Sequence, residues 1–264
     1  MDSPDALSGI GVLVTRPEHQ ADALCALIEQ AGGKAIRFPV LEIVAPSDES
    51  SLTHAVAHLQ DYDMAVFISP NAVNQSLNRI LAKGPFPVSV QIAAVGRASA
   101  KAVSKFGLQI DIFPKQRFDS EALLELPEMR QVNGKRILIF RGEGGRELLA
   151  ETLKARGAEV DYAEAYRRAR PKSDVGGLMK RWARGEIGVV TVTSNESLHN
   201  LYDMVGQLGR HWLLKTPLVV ASERGVELAK ELGFKSPILT IPQVSDEAIF
   251  DEICRWRAES AQVQ

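Results

Sequence analysis

The amino-acid sequence predicts an α/β fold with two parallel five-stranded sheets, each flanked by helices. Short apolar runs alternate with amphipathic helical patterns along the 264 residues. This alternation is typical of parallel sheets that helices cover on both faces. Ten such apolar runs are too many for one modest sheet at this length. The first half of the chain also resembles the second half, which indicates two copies of one unit.

The predicted strands and helices follow each other in a regular order. Amphipathic patterns between the strands predict helices, for example Glu18–Ala31, Arg146–Arg156 and Glu223–Leu232. The ten predicted strands are Val12–Thr15, Ala35–Phe38, Met64–Ile68, Gln91–Val95, Ile110–Phe113, Arg136–Phe140, Glu159–Ala163, Val189–Thr193, Leu218–Ala221 and Ile238–Ile241.

The internal repeat is clearest where the segment from Val12 aligns without gaps on the segment from Ile137. The same offset pairs Ser69 with Ser194. Four stretches match in the same order, which makes a tandem duplication a better explanation than chance. The identical pairs in the first stretch are Leu13/Leu138, Arg16/Arg141, Glu18/Glu143, Leu24/Leu149 and Gly32/Gly157.

Residues that commonly cap helices stand where the predicted helices begin and end. Asp119 and Ser245 precede helical runs and are expected to be N-caps. Gly32 and Gly157 fall where a helix must stop and turn into the next strand. Pro17 stands at the start of a helix, where its missing N–H costs nothing.

Charge, cysteine content and hydropathy exclude several functional classes. A net charge of -2 gives no general positive field, so we expect neither nucleic acid nor a membrane surface as a partner. Cys25 and Cys254 are far apart and predict neither a disulfide nor a zinc site, while Cys25 lies on an apolar helical face. Without a signal-peptide pattern or a membrane-spanning run, we expect a cytoplasmic protein.

A glycine-rich turn stands between a predicted strand and a predicted helix at Arg141–Arg146, with the sequence RGEGGR. Glycines let a ligand approach the backbone closely, and helix N-termini present free N–H groups. Arginine adds a fork that matches a carboxylate or a phosphate. The turn therefore indicates anion binding, or else it is a flexible turn with two solvated arginines. It completes no GxGxxG motif, because Glu147 stands where the last glycine belongs.

Small hydroxyl residues occupy similar strand-to-helix turns at Ser69, Ser99, Ser194 and Ser222. Each of them by itself is better explained as a helix cap than as a binding group. Together they would give the sheet edges many weak donors, which suits a ligand with several negative charges.

Strong catalytic or metal-binding machinery is missing from the sequence. The five histidines form no HExxH motif, and there is no GxSxG for an acyl-transfer serine. We therefore expect no metal and no cofactor. An enzyme with this sequence would work by positioning its substrate.

Taken in order, these junctions resemble the uroporphyrinogen-III synthase family. The resemblance rests on short motifs in a fixed order and covers nearly the whole chain. The motifs are VLVTRP, FPVLEIVAP, VFISPNAV, AAVGRASAKAVSKFGL, ILIFRGEGGRELLAETLKARGAEV, AYRRARP and VVTVTSNES.

The resemblance implies two flavodoxin-like domains that are nested, with the active site between them. Domain 1 would be discontinuous and comprise residues 1–38 and 168–264, and domain 2 would comprise residues 45–162. Residues 39–44 and 163–167 would form a two-stranded linker. Composition and periodicity do not distinguish nested from consecutive domains.

The implied activity is that of a lyase of porphyrin and haem biosynthesis. It converts the linear tetrapyrrole hydroxymethylbilane into uroporphyrinogen III, with loss of water and inversion of ring D. The substrate closes unaided to the uninverted isomer, so the enzyme must mainly control geometry. The partner implied is this small polycarboxylate alone, and we expect a monomer.

The resemblance also implies roles for particular residues. Tyr166 matches a family tyrosine proposed to assist loss of the hydroxyl group, although a packing role for this tyrosine is equally consistent with the sequence. A phenol stays protonated at neutral pH and can donate a hydrogen bond to a leaving oxygen. Ser222 lies in a segment that departs from the family pattern. The implied substrate-binding residues are Arg16, Ser69, Ser99, Arg141, Gly142, Gly144, Gly145, Arg146 and Ser194.

Two other functions remain compatible with the residues. Two Rossmann-like lobes without catalysis could bind a small anionic metabolite as a sensor. A nucleotide-dependent transferase with an unfamiliar binding loop is the second alternative.

Overall fold

The computed structural model describes residues 5–262, and its contacts divide the chain into two compact units. Unit 1 comprises Met1–Glu42 and Ala169–Gln264, and unit 2 comprises Ile43–Arg168. Each unit contains one five-stranded sheet. The predicted α/β fold with two parallel-dominated sheets is therefore confirmed.

The sheet of unit 1 has the strand order β10-β9-β8-β1-β2. All four pairings between neighbouring strands are parallel. Their bounds are β1 Gly11–Val14, β2 Lys34–Arg37, β8 Val189–Thr191, β9 Leu218–Val220 and β10 Ile238–Thr240.

The sheet of unit 2 has the strand order β3-β7-β6-β4-β5, and β6 pairs in parallel with both β4 and β7. The edge strand β5 pairs in parallel with β4. These strands are β3 Glu42–Val44, β4 Met64–Phe67, β5 Gln91–Ala94, β6 Arg136–Gly142 and β7 Glu159–Ala169.

Twelve α-helices are assigned within the described residues, and most of them connect successive strands. Short 3-10 turns at Glu18–Gln20 and Leu59–Asp61 supplement them. The α-helices are α1 Asp22–Gln30, α2 Ser50–Ala57, α3 Pro70–Lys83, α4 Arg97–Lys105, α5 Ser120–Leu124, α6 Pro127–Arg130, α7 Leu148–Ala155, α8 Val175–Ala183, α9 Asn195–Met204, α10 Gly206–Leu213, α11 Glu223–Glu231 and α12 Asp246–Gln262.

The prediction of a strand at Ile110–Phe113 was wrong, because this segment makes only an isolated parallel bridge between Ile112 and Ala93. The carboxylate of Asp111 accepts a hydrogen bond from the backbone N–H of Ile92 at 2.7 Å. A side chain thus takes a donor that a regular strand ladder would use. The fifth strand of this sheet is β3 instead.

Two predicted helices begin later than the sequence pattern suggested. The segment predicted as Glu18–Ala31 starts with a 3-10 turn before α1. Helix α7 begins at Leu148, after the predicted start at Arg146. The preceding Gly144 and Gly145 have φ angles of 68° and 113°, which a right-handed helix does not allow. The residues of the glycine-rich turn therefore stay in the loop.

The predicted N-caps are confirmed. Asp119 accepts a hydrogen bond from Ala122 N, and Ser245 accepts one from Ala248 N. Ser69, Ser194 and Ser222 likewise cap helices α3, α9 and α11 through their hydroxyl oxygens. These bonds satisfy backbone donors that the first helical turn leaves free.

Each sheet is covered on both faces by apolar side chains, which form two clusters in each unit. Cys25 packs inside one of them at 2% exposure, as predicted, and burial raises the pKa of its thiol. In the described part of the chain, every helix is too short or too polar to cross a membrane.

Candidate functional site

Most of the predicted site residues follow the carboxyl ends of parallel strands, where ligands bind in open α/β sheets. In unit 2, the chain order reverses between β4 and β6, which lie side by side. Ser69 follows β4, and the glycine loop, which we define as Gly142–Glu147, begins at the last residue of β6. Tyr166 lies near the end of β7, the next strand. These groups therefore lie along one edge of one sheet.

Tyr166 packs directly against Gly142. A Cβ atom at Gly142 would lie 2.8 Å from Cζ of the Tyr166 ring. The two residues are register partners at an irregularity in the β6–β7 ladder, and the N–H of Glu143 donates to the carbonyl of Tyr166 at 2.8 Å. Glycine at position 142 is needed because any side chain would displace the ring.

The hydroxyl group of Tyr166 lies 3.1 Å from the Ser69 hydroxyl. Ser69 Oγ also accepts the N–H of Ala72 at 3.1 Å, as the cap of α3. The tyrosine ring is only 4% exposed and belongs to the core of unit 2. The ring is thus fixed by packing, and its hydroxyl is fixed by a hydrogen bond at the sheet edge.

Arg141, which the resemblance implies as a substrate-binding residue, does not project into solvent. It is 3% exposed, and its Nε donates to the carbonyls of Gly142 and Gly144 at 3.3 and 3.0 Å. Its Nη1 donates to the Glu147 carboxylate at 2.8 Å. The guanidinium group thus lies inside the glycine loop and holds it from within.

The aromatic ring of Tyr162 completes this arrangement. The Arg141 guanidinium lies 4.4 Å from the centre of that ring, and the Tyr162 hydroxyl donates to the Glu147 carboxylate. Burial, followed by the bond to Glu147, raises the pKa of Tyr162 to about 12. The hydrogen bonds from Tyr162 and then Arg141 lower the pKa of Glu147. The three side chains contact one another and form a network, which we call the Arg141 network.

The outer residues of the glycine loop are exposed. The Arg146 side chain is 77% exposed and lies 3.5 Å from the Glu121 carboxylate, a contact that contributes little at a solvated surface. Glu143 accepts hydrogen bonds from the backbone N–H and the hydroxyl of Ser47. Arg146 is therefore the guanidinium group of this loop that is free to reach a ligand.

Ser99 is also buried, at 2% exposure, in the first turn of α4. The explanation of Ser99 as a helix cap was wrong, because the N-cap of α4 is Gly96 and no side chain caps this helix. The substrate contact implied for the Ser99 hydroxyl stays a prediction. Its neighbour Arg97 is exposed instead and lies over the ring of Phe118. The sequence did not single out Arg97, because its aromatic partner Phe118 lies 21 residues further along the chain.

Unit 1 carries a second group of predicted residues, at the carboxyl ends of β1 and β8. The order of this sheet reverses between these two strands. The Arg16 side chain is 12% exposed and paired with the Asp246 carboxylate. Ser194 is exposed, and its hydroxyl donates to the Ser197 hydroxyl at 2.9 Å. Arg16 is therefore largely engaged within its own unit, and Ser194 is the accessible group.

None of the described His, Cys, Asp and Glu side chains form a group of three or more that could hold a metal ion. Besides carboxylates that are paired with neighbouring residues, the two sheet edges carry hydroxyl groups, backbone amides and guanidinium groups. Such groups bind carboxylates and hold a flexible anion in one conformation.

We predict that Tyr162→Phe loosens the glycine loop without unfolding the protein. The variant keeps the ring beneath Arg141 but loses the hydrogen bond to Glu147, so the loop should open more often. Trypsin cleavage after Arg146 should become several-fold faster. Tyr62→Phe is the matched control, because the Tyr62 hydroxyl also donates to a carboxylate of the same unit, that of Asp161, which is not a residue of the loop. Equal cleavage rates in both variants would show that the Arg141 network does not hold the loop.

Comparison with known proteins identifies the family. The family model described as uroporphyrinogen-III synthase HemD matches residues 22–250. The uroporphyrinogen-III synthase of Salmonella typhimurium is 38% identical over 251 residues, which cover 93% of this chain and 99% of that protein. The Escherichia coli enzyme is 36% identical over 248 residues, with the same shares covered.

Solved structures support the fold. A mutant uroporphyrinogen III synthase from Thermus thermophilus superposes with a TM-score of 0.60 at 18% identity, covering 95% of this chain and 99% of that one. The enzyme from Helicobacter pylori gives a TM-score of 0.56 at 16% identity, covering 96% and 99%. At these identities the structures show a shared fold only. From the family model and the bacterial relatives, the chain belongs to the uroporphyrinogen-III synthase family.

Proposed function

We propose that the protein cyclises hydroxymethylbilane to uroporphyrinogen III, with loss of water and inversion of ring D. The observation that carries this proposal is the Tyr166–Ser69 hydroxyl pair beside the glycine loop, in a chain of this family. The substrate is a small tetrapyrrole polycarboxylate, and the product belongs to haem biosynthesis.

The substrate explains the kind of groups at the sheet edges. Hydroxymethylbilane carries eight carboxylates on a flexible chain, and it closes unaided to the uninverted ring. An enzyme must therefore hold the chain so that the substituted carbon of ring D attacks. Amides of the glycine loop, Arg146 and helix-capping hydroxyls such as Ser194 are suited to many weak contacts of this kind.

Tyr166 is the residue proposed to assist departure of the hydroxyl group. Ser69 Oγ accepts a hydrogen bond from Ala72 N, and either hydroxyl of the Ser69–Tyr166 pair can donate to the other. In the proposed reaction Ser69 donates to the Tyr166 oxygen, which leaves the Tyr166 hydrogen to donate to the leaving oxygen of the substrate. The C–O bond breaks as the leaving oxygen takes the Tyr166 proton, so the group departs as water and the carbon that it leaves becomes the electrophile that ring D attacks. The proton that ring closure releases restores the phenol.

Arg141 acts in this proposal through the loop and does not contact the substrate. Its contacts with the carbonyls of Gly142 and Gly144 fix the direction of the loop backbone. A preformed loop binds a flexible anion with less loss of conformational entropy. Arg141 is thus a positioning residue.

We also propose that the two units are flavodoxin-like domains, with the boundaries 1–38 and 168–264 for domain 1 and 45–162 for domain 2. Numbered along its own chain, the sheet of unit 1 has the order 2-1-3-4-5, which is the flavodoxin-like order. In unit 2, β4 to β7 follow the same order, and β3 takes the fifth place. Residues 39–44 and 163–167 would link the two domains of a monomeric, cytoplasmic enzyme while also contributing to strands β3 and β7 of the unit 2 sheet.

The direct test is an isomer assay. Freshly made hydroxymethylbilane is incubated with the protein, the products are oxidised, and the type I and type III porphyrins are separated. We expect the type III isomer in clear excess over a protein-free control. A sensor without catalysis would leave only the spontaneous type I isomer, and this result would exclude the proposed activity.

We predict that Tyr166→Phe lowers kcat by roughly ten- to a hundredfold, as expected for loss of one general acid. Ser69→Ala should also lower kcat, because the Tyr166 hydrogen would no longer be directed to the leaving oxygen of the substrate. Ser69→Thr keeps the hydroxyl and should retain most activity. Circular dichroism checks that the variants fold, and near-wild-type kcat in Tyr166→Phe would assign Tyr166 to packing alone.

A further inference from the structure

Arg97 occupies the same sheet edge as the proposed site of unit 2. It is the first residue of α4 and follows β5, whose last residue, Ala94, pairs with Phe67 of β4. Ser69 stands two residues after Phe67. Because the carboxyl ends of parallel strands meet at one edge, Arg97 lies on the edge that carries Ser69 and the glycine loop.

The Arg97 guanidinium is held by an aromatic ring. It lies 4.3 Å from the centre of the Phe118 ring, and Phe118 stacks on Phe113 with the ring centres 5.6 Å apart. The residue after Phe118 is Asp119, the N-cap of α5, which fixes the start of that helix. The segment with Phe118 is thus anchored on both sides, and it restrains the guanidinium plane through a cation–π contact.

The charge of Arg97 is not neutralised within its unit. Among the described residues, no carboxylate lies within ion-pairing distance of Arg97, and none accepts a hydrogen bond from it. The neighbouring Arg117 pairs instead with Glu125 and Asp119. The face of the Arg97 guanidinium is used by Phe118, while its N–H groups remain available. This combination fits bidentate recognition of a carboxylate.

We propose that Arg97, held in place by Phe118, binds a carboxylate of the substrate. The inference rests on the proposed function, because it adds a binding residue to the same site. An exposed guanidinium that is already restrained loses little conformational entropy when it binds. The residue contributes affinity and selects a polyanionic ligand, and it takes no part in proton transfer.

Two measurements test this proposal. In steady-state kinetics with hydroxymethylbilane, Arg97→Gln should raise KM roughly tenfold and leave kcat almost unchanged. The KM of Arg97→Lys should lie between those of the wild type and Arg97→Gln, since lysine keeps the charge but lacks the planar fork of donors. Phe118→Leu should also raise KM, because it removes the ring that restrains the guanidinium.

Arg136→Gln is the matched control. Arg136 also lies over an aromatic ring, 4.9 Å from the centre of Tyr62, but it is the first residue of β6 and so stands at the opposite edge of the sheet. Its replacement should leave KM unchanged. Melting temperatures of both glutamine variants show how far each cation–π contact stabilises unit 2.

Binding of uroporphyrin III, a stable porphyrin with eight carboxylates, separates failure of this proposal from failure of the proposed function. Its Kd is measured by fluorescence for the wild type, Arg97→Gln and Arg136→Gln. A rise in Kd for Arg97→Gln alone supports the carboxylate contact even if the isomer assay fails. Unchanged KM and Kd in a folded Arg97→Gln variant would overturn the proposal and leave Arg97 a stabilising role only.

Discussion

The packing of Tyr166 against Gly142 is the contact on which the proposed site of unit 2 depends. Because Gly142 has no side chain, the Tyr166 ring can lie against β6. The Tyr166 hydroxyl then reaches the Ser69 hydroxyl at 3.1 Å. The Ser69 hydroxyl is itself fixed as the cap of α3. Three neighbouring strands thus place one phenol at the sheet edge without any charged partner.

The glycine loop depends on a buried charge in a similar way. Burying a guanidinium is unfavourable unless hydrogen bonds and an opposite charge compensate it. The buried charge of Arg141 is compensated by two loop carbonyls, the Glu147 carboxylate and the Tyr162 ring. Its Nη2 has no hydrogen-bond partner among the described residues. A Cβ atom at Gly145 would lie 3.0 Å from that nitrogen. The glycines therefore make room for the arginine as well as for a ligand.

The sequence predicted the general fold well, because apolar periodicity and capping residues act locally. Nine of the ten strands, the N-caps and the two parallel sheets follow from such patterns. The prediction of a strand at Ile110–Phe113 was wrong because the Asp111 carboxylate accepts the backbone N–H of Ile92. Periodicity does not reveal that a side chain competes with the strand ladder in this way. The strand Glu42–Val44 was expected as a linker segment and lies at the edge of the second sheet.

The site was less predictable, since the direction of a side chain depends on contacts that are distant in sequence. The motif RGEGGR indicated an anion-binding loop, but it did not show that Arg141 points inward while Arg146 points outward. The partners Tyr162 and Glu147 were not singled out. In the turn at Gly96–Ser99, Ser99 was singled out as a hydroxyl residue, whereas the exposed group is Arg97.

The most direct test of this account is the turnover of Gly142→Ala. The added methyl group would stand 2.8 Å from Tyr166 Cζ, so the ring must move and its hydroxyl should lose Ser69. We expect kcat for the formation of uroporphyrinogen III to fall about as far as in Tyr166→Phe, roughly tenfold or more. The fold should be retained. Gly176→Ala, where the nearest atom would be 3.5 Å away, should keep full activity. Wild-type turnover in a folded Gly142→Ala variant would contradict the claim that this packing positions the catalytic hydroxyl.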